Sequence, residues 1–155
     1  TDSRRSRPPR LTSIFQSQPV FFVTAVTWQR QPLLANARVH HAFLDHARKL
    51  LESGSAIGRY VLMPDHAHFF IRLRREHRLD TTMRLLKQRL TAEVRATHPE
   101  ARVWQPGFFD HLLRSSESYA EKWDYVRQNP VRAGLVDDAA HWEFQGEIAI
   151  IDRAD

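Results

Sequence analysis

Residues 57–73 read IGRYVLMPDHAHFFIRL, and the fold turns on this stretch. Ile57 to Met63 is an apolar, β-branched run of strand length, Pro64-Asp65 is a tight-turn dipeptide, and His66 to Leu73 returns as a second run. Two such runs joined by so short a turn pair as an antiparallel hairpin. On the returning strand His66 and His68 are two residues apart, so both imidazoles project to one face while Ala67, Phe69 and Ile71 project to the other.

Upstream, Pro19 to Thr27 (PVFFVTAVT) reads as a largely buried strand. From Asn36 to Glu52, Val39, Phe43, Ala47 and Leu50 recur at helical spacing, and Ser53-Gly54-Ser55 ends the helix. Downstream, Asp80 is expected to cap a helix whose stripe is Leu79, Met83, Leu86, Leu90 and Val94. Phe108 to Arg114 follows as a fourth strand, expected near the sheet centre. Ser116 to Gln128 is a third helix stopped by Asn129-Pro130, and a short strand is expected between Trp142 and Ile151. This order predicts an α+β sandwich of the ferredoxin-like type, an antiparallel sheet of four to five strands with helices mainly on one face. Residues 1–18 carry Arg4, Arg5, Arg7 and Arg10 around Pro8-Pro9 and are expected to form a flexible basic arm, either following a phosphate backbone or simply solvated. Residues 19–155 are read as a single catalytic domain.

The 155-residue chain has no cysteine, so disulfides and thiolate metal sites are excluded and any metal must be held by nitrogen and oxygen. Its net charge of +5 favours a polyanionic partner such as nucleic acid, although many basic proteins bind none. Its apolar runs are too short to cross a bilayer, and the expected location is the cytoplasm.

A His-x-His pair on a strand can chelate a divalent ion if a third ligand joins it, but it also fits two surface histidines. On the third helix the apolar stripe is Tyr119, Trp123 and Val126, and at about 100° per residue Tyr125 and Asn129 lie together, well off its centre. A phenol beside a bound cation can attack phosphorus, and the Asn129 amide oxygen can serve as a ligand. Taken without the histidines, the same residues read as a boundary tyrosine and a helix-terminal asparagine.

The run Tyr60 to Ile71, with Met63-Pro64-Asp65-His66-Ala67-His68 at its centre, resembles the HUH segment of prokaryotic single-tyrosine transposases. Tyr125-Val126-Arg127-Gln128-Asn129-Pro130-Val131-Arg132-Ala133-Gly134-Leu135 is similar to the tyrosine-helix signature of their REP-associated branch. Trp104-Gln105, Phe109-Asp110-His111 and Arg114 resemble its fourth-strand segment, so the likeness runs from about Pro19 to Trp142. It implies a ferredoxin-like fold, His66, His68 and Asn129 as ligands of Mg²⁺ or Mn²⁺, and Tyr125 as the nucleophile that cleaves and rejoins single-stranded DNA through a 5′-phosphotyrosine. Hairpin or repetitive palindromic DNA is the implied substrate, and a monomer is favoured over a homodimer. Ala67 stands where the family usually has a bulky residue, which is expected to alter core packing rather than ligation.

Arg127 and Arg132 flank the site and could hold phosphate or flanking backbone, or be solvated. Asp110 and His111 could orient the metal histidines, or serve the core. Trp28, Trp104 and Trp142 could stack unpaired bases or fill the core, and His40, His41, His46, His77, His98 and His141 are read as surface residues. Two other functions compete: a non-catalytic DNA-binding module, and a metal-dependent nuclease that uses water in place of Tyr125.

Overall fold

A computed structural model describes residues 18–151 of the chain. The basic arm expected over residues 1–18, with Arg4, Arg5, Arg7 and Arg10, lies outside the described residues but for Gln18. The main elements are β1 (Val20–Val26), α1 (Ala37–Glu52), β2 (Ala56–Leu62), β3 (His66–Arg72), α2 (Leu79–Thr97), β4 (Phe109–Leu113), α3 (Ser116–Val126), a short α4 (Asn129–Arg132) and β5 (Gln145–Glu147). The five strands form one antiparallel sheet, as the pattern predicted, and their order is β4-β1-β3-β2-β5. Among the described residues no helix is long and apolar enough to cross a membrane.

Strand alternation divides the core in two. Val23, Ala25, Ile57, Leu62, Phe69 and Ile71 pack with Val39 and Phe43 of α1 and Met83, Leu86 and Leu90 of α2. Val20, Phe22, Val61 and Phe70 face the other way and are covered by Tyr119, Trp123 and Val126 of α3, together with Ala149 and Ile151. Two helices therefore lie on one face and the tyrosine-bearing helix on the other. The small Ala67 is buried on the α1/α2 side.

Helix ends follow local chemistry, with one exception. Val39 N donates to Asn36 Oδ1 at 3.0 Å and Ser118 N to Ser115 Oγ at 3.2 Å, so Asn36 and Ser115 cap α1 and α3. Asp80 does not cap α2; Arg78 holds that position without a side-chain cap bond. Asp80 sits inside the first turn, where the helix dipole favours a carboxylate, and is bound by Arg78 at 3.0 and 3.1 Å. α3 ends at Val126, short of Gln128. Pro130 has no N–H to offer the Val126 carbonyl, so the chain turns through Arg127 and Gln128, and Asn129 opens a separate helical turn. β4 pairs only with β1, an edge rather than a central position.

β2 has a register irregularity between Ile57 and Tyr60. There the buried Tyr119, stacked on Phe70 at 4.0 Å, accepts a hydrogen bond through its hydroxyl from Arg59 N at 2.9 Å. A Cβ on Gly58 would lie 2.5 Å from that hydroxyl and 2.8 Å from Ile151. Gly58→Ala is therefore expected to lose about 1–3 kcal/mol by overpacking, read as a lower denaturation midpoint; an unchanged midpoint would show that this seam yields freely.

Candidate active site

β3 pairs along its length with β1, setting Thr24 opposite His68 and Val26 opposite His66. Both imidazoles thus stand on the face covered by α3, with ring centroids 4.6 Å apart and nearly perpendicular. His66 Nδ1 lies 2.7 Å from Asp65 Oδ1, and a carboxylate can only accept, so Nδ1 carries a proton and Nε2 is the ring nitrogen not taken up by Asp65. Arg30 Nε pairs with the other Asp65 oxygen at 3.0 Å. His68 Nδ1 lies 2.8 Å from Thr24 Oγ1, and with that hydroxyl as acceptor its Nε2 is likewise free.

Phe22 stacks on His68 at 5.2 Å. Burial, reinforced by the nearby His66, Lys122, Arg132 and Arg30, pulls the His68 pKa down to about 3, so the ring stays neutral. His40 and His46 are also held below the ordinary value, burial being the main cause. Below about pH 6.5 the unfolded chain therefore takes up protons that the folded chain refuses, so stability falls as pH drops, for His68 down to about 3. In EDTA the melting temperature is expected to decrease from about pH 7 to about pH 5, and less steeply in His46→Gln; a flat profile would contradict the assigned neutral rings.

The backbone reaches Arg30 through two left-handed residues, Gln29 at φ 54° and Arg30 at φ 57°. For non-glycine residues this conformation is costly and must be held by its surroundings. Thr27 Oγ1 donates to Gln31 O at 2.8 Å, and Gln31 Nε2 donates to Trp28 O at 2.8 Å and Arg102 O at 3.0 Å. The pinned turn delivers the Arg30 guanidinium to Asp65 beside His66.

Tyr125 is 66% exposed near the end of α3. It lines a shallow cleft with His111, Ser118 and Lys122, while Ala133 and Leu135, just beyond α4, line a second cleft with Arg30, Asp65 and His66. Arg132 joins the parts: its guanidinium lies 4.1 Å from the Tyr125 ring centre, and Nη2 donates to Tyr125 O at 2.8 Å and to Asn129 Oδ1. The Asn129 amide oxygen is thus engaged by Arg132. Two oriented imidazoles suit a nitrogen-tolerant divalent ion, but no group of three or more His, Cys, Asp or Glu is placed to hold one among the described residues.

Other residues singled out in the sequence fall differently. Asp110 pairs across from Val23 and faces away from the histidine pair; His111, across from Phe22, faces the Tyr125 cleft. Neither is a partner of His66 or His68, whose Nδ1 atoms meet Asp65 and Thr24 instead. The Arg127 side chain makes no hydrogen bond or ion pair among the described residues. His40 bonds Tyr60 Oη at 2.7 Å and His77 bonds Ser55 Oγ at 2.6 Å, so these two are structural rather than free surface residues. Trp142 Nε1 donates to Leu62 O, a core-edge role.

Sequence reasoning missed Thr24, Arg30, Asp65 and Lys122. Lys122 had a local signal, one helical turn before Tyr125 on the same side; Thr24 and Arg30 had none, because only tertiary pairing brings them to β3.

Residues 19–129 match the family model described as Transposase IS200 like. A REP-associated tyrosine transposase of Escherichia coli (strain K12) is 26% identical over 127 residues, covering 80% of this chain and 73% of that protein. A putative REP-associated tyrosine transposase of Haemophilus influenzae is 27% identical over 94 residues, 54% of this chain and 53% of that one. Among solved structures, a REP-associated tyrosine transposase bound to a REP hairpin superposes with a TM-score of 0.65 at 23% identity, over 90% of this chain and 86% of that one. A putative transposase from Deinococcus radiodurans gives 0.53 at 17% identity, over 72% and 90%. At these identities the structural likenesses speak for the fold.

Proposed function

The chain belongs to the IS200-like transposase family of DNA-cleaving enzymes, and from that premise we propose that it cuts and rejoins single-stranded hairpin DNA through a covalent bond to Tyr125. The observation that carries this reading is an exposed tyrosine on the helix covering the sheet face that bears the paired histidines. The Tyr125 oxygen attacks the scissile phosphorus and loses its proton. The bond from phosphorus to the 3′-oxygen breaks, that oxygen takes up a proton, and the 5′-phosphate stays on Tyr125. Attack by another 3′-hydroxyl reverses these steps and rejoins the strand, so no nucleotide cofactor is consumed.

His66 and His68 would hold a divalent ion, Mn²⁺ or Mg²⁺, which when bound supplies Lewis-acid polarisation of a non-bridging phosphate oxygen. Asn129 would join them as a ligand, with its amide oxygen released by Arg132. Arg132, freed in that way, and Lys122 then supply positive charge to the scissile phosphate. The packing of α3 on the sheet of its own chain supports a monomer, in which histidines and tyrosine would come from one molecule. The hairpin substrate follows the REP hairpin bound by the superposed transposase.

The test is to incubate the protein with labelled hairpin DNA in Mn²⁺ or EDTA and separate the products on denaturing gels. A metal-dependent protein–DNA adduct is expected. Cleavage without an adduct would assign the attack to water, and binding without cleavage would make the chain a DNA-binding module.

A further inference from the structure

On the sheet face opposite the histidines, α2 and the segment 104–108 enclose an open groove of about 620 Å³. Met83, Ala92, Trp104 and Phe108 give it an apolar and aromatic lining, and Arg84 and Arg95 stand along it. The groove wall is fixed in place. Trp104 Nε1 donates to Thr91 Oγ1 at 3.0 Å, and Lys87 Nζ, 5.5 Å from the Trp104 ring centre, donates to Gln105 O at 3.3 Å and to Gly107 O. Arg95 Nε donates to Ala101 O at 3.1 Å, whereas the exposed Arg84 makes no ion pair among the described residues. The carboxylate among the lining residues, Asp80, is neutralised by Arg78.

We propose that this groove is a second DNA site, taking unpaired nucleotides that flank the hairpin. The proposal rests on the DNA-processing reading above. Aromatic rings between cations suit single-stranded nucleic acid, whose bases can stack while its phosphates meet the charges; a duplex hides its bases. The groove is also joined to the histidine site. Trp104 bridges to Thr27, Gln105 N donates to Val26 O at 3.0 Å, and Thr27 N donates to Asp65 O at 3.0 Å, next to His66. At this junction Arg102 lies over the Trp28 ring at 3.5 Å, a further cationic and aromatic step. These bonds tie the groove wall, through the end of β1, to the turn that carries Asp65 and His66.

The experiment compares a labelled hairpin with and without a single-stranded thymidine extension, by fluorescence anisotropy, and reads the ratio of the two affinities. The full chain is expected to bind the extended hairpin about tenfold more tightly. Arg84→Glu and Phe108→Leu are each expected to bring the ratio near one, and Arg84→Glu to lower the slope of log affinity against log salt by about one. Bromodeoxyuridine in the extension should photo-crosslink to Trp104 or Phe108, a readout independent of either variant's stability. A parent ratio of one, an unchanged ratio in both variants, or crosslinks confined to other residues would overturn the proposal. An adduct at Tyr125 with a parent ratio of one removes the groove and keeps the cleavage reading. Crosslinking in the groove without any adduct removes cleavage and keeps the groove.

Discussion

Tyr125→Phe is expected to abolish the covalent adduct, with cleavage reduced by about 10³-fold or more, while hairpin affinity stays within about threefold of the parent. The substitution removes only the hydroxyl oxygen. The ring that Arg132 covers at 4.1 Å remains, and at 66% exposure Tyr125 contributes little to the core. The melting temperature should therefore hold, separating lost chemistry from lost fold. Adduct formation that survives in Tyr125→Phe would move the nucleophile to another residue, and cleavage that survives without an adduct would assign it to water. Tyr60→Phe is the matched control: its hydroxyl is bound by His40 at 2.7 Å and burial holds its pKa up at about 12, far from use as a nucleophile.

His68→Ala is expected to weaken Mn²⁺ binding, followed by electron paramagnetic resonance, by at least about 100-fold and to bring cleavage to the metal-free level. The neighbouring groups make this prediction graded. Thr24→Val removes the oxygen 2.8 Å from His68 Nδ1, and Asp65→Asn exchanges the carboxylate 2.7 Å from His66 Nδ1 for an amide. Each keeps both imidazoles, and each is expected to lose about 10–100-fold in metal affinity, the usual effect of removing a group that orients a ligating histidine. Full Mn²⁺ affinity in His68→Ala would exclude the pair as the metal site.

What could be read from the chain alone was whatever repeats at short range. Strand alternation carried the common face of His66 and His68, helical periodicity carried the separation of Tyr125 from the Tyr119–Trp123–Val126 stripe, and Pro130 carried the end of its helix. Element order was sufficient for the antiparallel α+β sheet, and the Tyr125 to Leu135 signature for the family. Local signals misplaced what depends on neighbours: Asp80 lost the cap position because the helix begins at Leu79, two residues earlier than a cap at Asp80 would set it, and β4 went to the edge because strand order is set by packing rather than by strand composition.

The sequence by itself determined which residues share a strand face or a helix side, because those relations follow from backbone geometry over a few residues. Only the tertiary structure decided that Thr24, 44 residues away, meets His68; that a strained turn brings Arg30 to Asp65; and that Arg132 engages Asn129 and lies over Tyr125. These contacts depend on which sheet face α3 covers and on where the chain turns after Val126, and neither leaves a periodic mark along the sequence.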